Sequence, residues 1–263
     1  MRIAVGIEYD GSAFAGWQTQ QSLRTVQAVL EKALGTVAAE RVSLVCAGRT
    51  DAGVHARAQV AHFETQAERS PRSWVLGANS EAPPDVAVSW ALPVPAHFHA
   101  RYSATARLYR YLILNRTARS ALRAARAAWV TRPLDEARMA EAAAHLIGEH
   151  DFSAFRSSEC QAKSPVRRLT RLAVERRGDW IAIEATANAF LHHMVRNIAG
   201  LLLAVGRGDE PPEWARSVLE GRDRTRGAAT APAAGLYLWE VSYPGAFGLP
   251  VPPPEGPQFP DQL

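Results

Sequence analysis

The sequence predicts an α/β protein of the α+β type, in which two related lobes build a mixed, largely antiparallel sheet with helices over its outer faces. Two observations support this class. Short alternating apolar runs, typical of half-buried strands, are interrupted by helical repeats in both halves of the 263-residue chain. The hydrophobic fraction of 47% supplies enough apolar surface for a sizeable core, which excludes disorder of the whole chain.

The first lobe, residues 1–104, follows the order strand, helix, strand, loop, strand, helix, strand. Apolar periodicity predicts strands over residues 2–9, about 42–47, 59–65 and 86–94, and helices after Thr25 and over residues 73–80. Thr25 is a plausible N-cap for the first helix. This order resembles a split βαβ, or ferredoxin-like, unit.

The second lobe, residues 105–244, contains the same ingredients. The patterns predict a strand over 107–115, a helix over 134–150 that Gly148 terminates, a hairpin over 166–188, a helix over about 190–205, a shorter helix from Glu213 and a strand over 236–243. The similar order indicates an internal pseudo-repeat. Residues 245–263 are rich in proline, and we expect an extended or disordered tail without a function.

The charge of the chain suits a nucleic-acid partner. The net charge is +4 and the pI is about 9.4; only two of the 30 basic residues are lysines, so 28 are arginines. Arginine matches phosphate with a rigid fork and stacks on bases. A genome biased toward GC-rich codons would produce the same composition, however, so composition alone leaves both explanations open.

Cysteine and histidine usage predicts neither a disulfide framework nor a metal site. Cys46 and Cys160 lie far apart without CxxC spacing, and the histidine pairs do not form a recognised ligand set. The N-terminal apolar run is too short for a signal peptide, and the most apolar stretch, "NIAGLLLAVG", is about half the length of a membrane-spanning helix. We therefore expect a soluble, cytoplasmic protein without a membrane anchor or a metal.

The stretch "GRTDAGVHA", residues 48–56, places the carboxylate of Asp51 on a loop between glycines. On the residues alone two interpretations stay open. Asp51 could cap its own backbone in an ordinary turn. Alternatively, the loop could be an active site, because Arg49 and His55 lie close to Asp51 in sequence and loops on rigid strands often carry chemistry.

Two further candidates lie in the second lobe. In "FLHHMVRNIAG", His192, Arg196 and Gly200 recur at i, i+4 and i+8 beside an apolar stripe, and the glycine would let another segment approach the helix closely. The alternative for Arg196 is a solvated surface arginine. Tyr109 shares a strand face with Tyr111, where core packing is the usual explanation.

Six blocks carry a resemblance to the tRNA pseudouridine synthase A family. They are "YDGSAFAGWQ", "AGRTDAGVHA" with "QVAHFET", "FHARYSATARLYRYLILN", "GEHDFSAFR", "NAFLHHMVRNIAG" and "ATAPAAGLYL", in the family's order, over about residues 3–244. The resemblance implies the pseudouridine synthase fold and an isomerase that converts uridine to pseudouridine at positions 38–40 of the tRNA anticodon arm. It also implies a homodimer and a reaction without a cofactor.

The resemblance also assigns roles to four residues. Asp51 is implied to be the catalytic carboxylate, which attacks C1′, attacks C6 or deprotonates C2′. Arg196 is implied to pair with Asp51 and to favour its ionised form. Tyr109 is implied to stack on the target uracil and to assist proton transfer at C5, whereas Tyr111 stays in the core. We expect the first three in a cleft between the lobes.

Arg49 is implied to help flip the uridine out of its stack, although a phosphate contact or a structural ion pair would also explain it. Many family members carry a basic residue where this chain has Leu108, which affects RNA affinity and not the reaction.

Two rival functions are a non-catalytic RNA-binding module and a metal-dependent hydrolase. Simple binding would not require the set of Asp51, Tyr109 and Arg196, and the missing ligand pattern disfavours the hydrolase.

Overall fold

The computed structural model describes residues 1–250, which form two compact units. The first unit comprises Met1–Ala106 and the segment that begins at Tyr237, and the second comprises Arg107–Leu236. Along residues 1–250, no helix is both long and apolar enough to cross a lipid bilayer.

The N-terminal segment of the first unit alternates strands and helices as the sequence predicts. Its elements are β1 (Arg2–Tyr9), α1 (Val26–Ala38), β2 (Val45–Cys46), β3 (His55–Glu64), α2 (Pro71–Glu81) and β4 (Val86–Val94). Strand β1 pairs antiparallel with both β3 and β4, and β2 pairs with β3. The predicted N-cap of α1 is confirmed, because the Thr25 side chain accepts a hydrogen bond from Ala28 N.

The second unit is built on an antiparallel sheet in the order β5-β9-β8-β7, with β6 added in parallel to β5. Its elements are β5 (Ala106–Asn115), β6 (Ala128–Val130), α3 (Glu136–Ala144), β7 (Gly148–Asp151), β8 (Val166–Arg177), β9 (Trp180–Ala187), α4 (Met194–Gly206) and α5 (Trp214–Gly221). Helix α4 is buried along almost its whole length.

Three elements of the second unit differ from the sequence prediction. The helix predicted over 134–150 ends at Ala144, and Gly148 begins a strand because it pairs with Leu169 of β8. Helix α4 starts at Met194 and not near residue 190, because His193 before it has a left-handed φ of 64°. Strand β6 was missed, since three residues are too few to show a periodicity.

The last strand, β10 (Leu236–Ser242), returns to the first unit. It pairs in parallel with β3, with Tyr237 opposite His55 and Leu238 opposite Ala56. The strand is therefore assigned to the first unit, whereas the sequence pattern grouped it with residues 105–244.

The predicted Pro-rich tail from residue 245 lies partly within the described chain. Gly245–Phe247 forms a short 3₁₀ helix, and the Phe247 ring packs against His97 and Phe98 at centroid distances of 5.6 and 5.1 Å. The beginning of this segment is therefore part of the fold, and the prediction for residues 251–263 lies outside the described residues.

Candidate active site

Asp51 lies in a tight turn that leads directly into β3. Val54 N donates a hydrogen bond to Asp51 O at 3.1 Å, which closes the turn. Gly53 has a φ of +77°, as a type II turn requires at its third residue, and the absence of a Cβ allows this conformation. The main-chain bond closes the turn, and its geometry favours a glycine at position 53.

The N-terminal loop, residues 10–17, packs against this turn. Trp17 N donates to Thr50 O at 3.0 Å, and Gly53 N donates to Phe14 O at 3.3 Å. These bonds hold the main chain before and after the aspartate. The loop corresponds to the block "YDGSAFAGWQ", so this part of the sequence acquires a structural role beside the candidate catalytic residue.

Buried side chains from β1 and β3 fix the residues that precede the aspartate. The Tyr9 hydroxyl and Thr50 Oγ1 are 2.8 Å apart and share a buried hydrogen bond. Gln59 is fully buried, and its Nε2 donates to Gly48 O at 2.6 Å. Sequence reasoning missed these contacts, because they join residues that lie far apart in the sequence. We call Tyr9, Thr50, Gln59 and residues 10–17 the loop brace.

Two histidines of β3, whose roles the sequence left open, are buried within the first unit. His55 Nδ1 accepts a hydrogen bond from Gly11 N at 3.1 Å, and its ring stacks on Tyr237 with centroids 4.6 Å apart. His62 Nδ1 accepts from Ala100 N at 3.1 Å, and burial lowers the pKa of its imidazole to about 4. Both side chains therefore support the packing of the strand that carries the turn.

Arg196 lies in the first turn of α4 and is held at two points by one residue. Its Nε donates to Ala231 O at 2.9 Å, and Ala231 N donates to Arg196 O at 3.1 Å. A Cβ at Gly200 would lie only 2.0 Å from Ala229 O, which confirms that this glycine lets another segment approach closely. We call Arg196, Gly200 and residues 229–232 the arginine clamp.

Tyr109 and Tyr111 occupy one face of β5. Tyr109 is 8% exposed, and its ring meets Phe190 edge to face at 5.1 Å. Tyr111 is fully buried, its hydroxyl donates to Pro232 O at 2.9 Å, and its predicted place in the core is confirmed. Burial raises the pKa of the Tyr111 phenol, and the charge of Arg196 opposes this rise. Arg196 therefore lies beside the β5 face that Tyr109 shares.

A cavity of about 400 Å³ in the second unit borders the start of α4. Asn197 in its lining is 3% exposed and is held by three neighbours. Its Nδ2 donates to Phe155 O at 2.8 Å, and its Oδ1 accepts from Thr230 Oγ1 at 2.7 Å and from Arg224 Nη2 at 3.1 Å. Through Arg224 and Thr230, these bonds tie the segment that leads to Ala231 of the arginine clamp to α4.

The predicted site residues are divided between the two units. Asp51 and the exposed Arg49 belong to the first unit, and Tyr109 and Arg196 belong to the second. The structure brings Arg196 next to the strand face of Tyr109. The meeting of Asp51 with these two residues stays a prediction.

The family to which this chain belongs follows from its similarity to known proteins. The family model described as tRNA pseudouridine synthase matches residues 6–103 and 142–244. These ranges include Asp51 and Arg196 and exclude Tyr109. The chain belongs to the tRNA pseudouridine synthase family and is an isomerase that acts on tRNA.

Relatives named tRNA pseudouridine synthase A match over nearly the whole chain. The relative from Nitrosococcus oceani is 58% identical over 95% of this chain and 96% of its own length. The relative from Alcanivorax borkumensis is 55% identical over 100% and 98%, and that from Pseudomonas aeruginosa is 54% identical over 95% and 88%. The pseudouridine synthase fold and the conversion of uridine to pseudouridine, both expected from the sequence, are confirmed.

Proposed function

We propose that this protein converts uridine to pseudouridine at positions 38–40 of the tRNA anticodon arm, with Asp51 as its catalytic carboxylate. The observation that carries the assignment of Asp51 is the turn itself. Main-chain bonds close the turn, and bonds to Gly48 and Thr50 brace it, in a chain whose family performs this isomerisation. A scaffold of this kind holds the backbone of a reacting group in place.

The reaction requires little beyond one positioned carboxylate. The bond between ribose C1′ and uracil N1 breaks, the base turns, and a bond forms between C1′ and C5. C5 loses its proton and N1 gains one, so the product is an isomer of the substrate and no electrons enter or leave. Asp51 acts as nucleophile at C1′ or C6, or as the base that deprotonates C2′. Neither a redox cofactor nor a metal ion is required, and we propose that neither takes part.

Arg196 and Tyr109 complete the proposed machinery. Arg196 supplies the positive charge that favours the ionised carboxylate, which would otherwise be unfavourable beside an apolar base. Its two-point attachment to Ala231 supports this role, since a fixed guanidinium loses little freedom when it pairs with a carboxylate. Tyr109 stacks on the uracil and assists the proton transfer at C5; its nearly complete burial and its packing on Phe190 hold the ring in one orientation.

Arg49 occupies the space vacated by the flipped uridine, in this proposal. Its exposed position directly before Thr50 and Asp51 supports this role, because a side chain that enters an RNA stem must project from the surface. We further propose that the protein is cytoplasmic and acts as a homodimer, as the resemblance of the whole chain to its family implies.

The assignment is tested by incubating the purified protein with an unmodified tRNA transcript and mapping pseudouridine at single-nucleotide resolution. We expect pseudouridine at positions 38–40 and none elsewhere in the transcript. Modification at other positions would contradict the anticodon-arm assignment, and tRNA binding without any modification would support the rival RNA-binding module.

A metal analysis of the active protein, before and after treatment with a chelator, tests the proposal that no metal is required.

A further inference from the structure

Tyr102 is an exposed aromatic side chain whose position the fold itself does not explain. It is 77% exposed, although burying an aromatic ring would remove a large apolar surface from water. It lies in the turn that leads from β4 toward β5, within the first unit. A single exposed ring is unremarkable by itself, so the inference depends on how this turn is built and what surrounds it.

The turn that carries Tyr102 is rigid. All five main-chain N–H groups from residue 99 to residue 103 donate hydrogen bonds. The bonds run from His99 N to Ser103 Oγ, from Ala100 N to His62 Nδ1, from Arg101 N and Tyr102 N to His99 Nδ1, and from Ser103 N to His99 O, at 2.8 to 3.2 Å. The Tyr243 hydroxyl adds a bond to Ala100 O at 2.6 Å. The exposed ring therefore stands on a fixed backbone, so little entropy is lost when a ligand binds to it.

The ring of Tyr102 is combined with a cation and a second aromatic group. The His99 imidazole lies behind it, with centroids 4.3 Å apart and planes 33° apart. The Arg101 guanidinium carbon lies over the same ring, 5.6 Å from its centroid. An exposed aromatic ring with a guanidinium next to it matches a nucleotide, in which a base and a phosphate lie close together.

The turn that carries Tyr102 is linked to the strand that precedes the turn of Asp51. His62, whose Nδ1 accepts from Ala100 N, lies opposite Val45 of β2, and its ring meets the His99 ring at 4.9 Å. Strand β2 ends at Cys46, just before residues 48–54. Arg101 and Arg49 are therefore carried by neighbouring segments of the first unit.

We propose that Tyr102 and Arg101 form a docking platform for one single-stranded nucleotide of the tRNA, which lies beside the uridine that is isomerised. The base stacks on the exposed face of Tyr102, and its phosphate contacts Arg101. This proposal rests on the proposed function, because it takes a tRNA with an unpaired nucleotide near the target as the ligand. Stacking of bases on aromatic side chains is the usual way in which proteins bind unpaired RNA nucleotides.

Charge favours RNA over a second copy of this chain as the occupant. A symmetric dimer through this surface would bring Arg49 and Arg101 of both subunits into one interface. Like charges at such an interface oppose association, whereas RNA phosphates neutralise them.

The test compares Tyr102→Ala with Tyr102→Phe, which keeps the ring, and with Leu76→Ala, which removes another exposed apolar side chain of the same unit. The dissociation constant for a tRNA transcript, kcat/KM for pseudouridine formation and the oligomeric state by light scattering are measured for each. We expect Tyr102→Ala to weaken binding and to lower kcat/KM by about tenfold, within the range for a lost base stack. The other two variants should stay within about twofold of the wild type. Arg101→Gln should reduce the slope of log K for tRNA binding against log salt concentration by about one, because one phosphate contact is lost.

Three results would overturn the platform. They are a change of less than about threefold for Tyr102→Ala, an equal loss for Tyr102→Phe, and a change in oligomeric state that accompanies the loss in Tyr102→Ala. Failure of the proposed function is distinguishable from failure of the platform. If the wild type binds tRNA but forms no pseudouridine, the proposed function fails and the binding constants alone decide the platform. If Tyr102→Ala forms pseudouridine at the wild-type kcat/KM, the function stands and the platform fails.

Discussion

The loop brace of the first unit and the arginine clamp of the second hold their functional residues in different ways. The turn of Asp51 is fixed by bonds to its neighbours in sequence, Thr50 and Gly53. Arg196 is fixed by its own side chain and main chain, which both bond to Ala231. The carboxylate of Asp51 is positioned through the backbone that carries it, whereas the guanidinium of Arg196 is positioned by its own hydrogen bond to Ala231 O.

This difference fits the chemistry proposed for the two residues. A nucleophile or base must form a bond or accept a proton during the reaction, so the backbone that carries it should hold it in place. A cation that only supplies charge is more effective when it is fixed before the reaction begins. The two regions should therefore respond differently to mutation.

Among the residues that support Asp51, the largest effect is expected for Arg196→Met. This variant removes the positive charge, so we expect kcat to fall by about 100-fold or more, while tRNA still binds. Arg216→Met, at an exposed position on α5, is the control and should stay within about twofold of the wild-type kcat. A wild-type rate and pH profile in Arg196→Met would contradict the role of the clamp.

Gly200→Ala should disrupt the arginine clamp, although it leaves the Arg196 side chain unchanged. The added Cβ would meet Ala229 O at 2.0 Å, so the segment must shift, at a cost of about 3 kcal/mol in the free energy of unfolding. Hydrogen exchange of residues 196–231 should report the loosening. Gly245→Ala, where a Cβ would meet no atom within 4 Å, is the matched control. An unchanged exchange rate in Gly200→Ala would show that the close approach is not required.

Acid should loosen the first unit before it affects the clamp. The pKa of His62 is lowered by burial from 6.5 to about 4, so the unfolded state binds more protons than the folded state between these values. Its contribution to stability is complete above pH 6.5 and is lost as the pH falls toward 4, by up to about 3 kcal/mol. Hydrogen-exchange protection factors, which correct for the slower intrinsic exchange at low pH, should fall in β3 first between pH 7 and 4.5. His62→Gln should flatten this dependence, and an unaltered profile in that variant would contradict the assignment.

Thr50→Val should have the smallest effect and tests the loop brace. It leaves the buried Tyr9 hydroxyl without Thr50 Oγ1, so we expect a loss of about 1–2 kcal/mol in stability and a modest fall in kcat. Adding Tyr9→Phe removes both partners and should restore most of the stability. A double-mutant cycle measures this coupling. Additive losses would show that the two hydroxyls do not act together.

The sequence predicted the local structure of both functional regions well. Apolar alternation located β1, β4 and the β8–β9 hairpin, because each spans enough residues to show a period of two. The positive φ of Gly53 and the close approach at Gly200 followed from the absence of a Cβ, which is a local property.

Contacts between distant segments could not be predicted. The pairing of β10 with β3 joins residues about 180 positions apart, and nothing in either strand specifies its partner. The bond between Tyr9 and Thr50 likewise requires knowledge of where two chain segments meet. Gly148 was misassigned because a glycine after a helical pattern resembles a helix terminus, whereas here strand pairing with β8 determines its role.

The central claim is that Asp51 performs the chemistry while the surrounding turn only holds it. Single-turnover pseudouridine formation by Asp51→Asn, which keeps the size of the side chain, tests this claim most directly, with the exposed Asp179→Asn as control. We expect no detectable product from Asp51→Asn, a tRNA dissociation constant within about threefold of the wild type, and a wild-type rate for the control. A rate for Asp51→Asn within about tenfold of the wild type would remove Asp51 from the catalytic role.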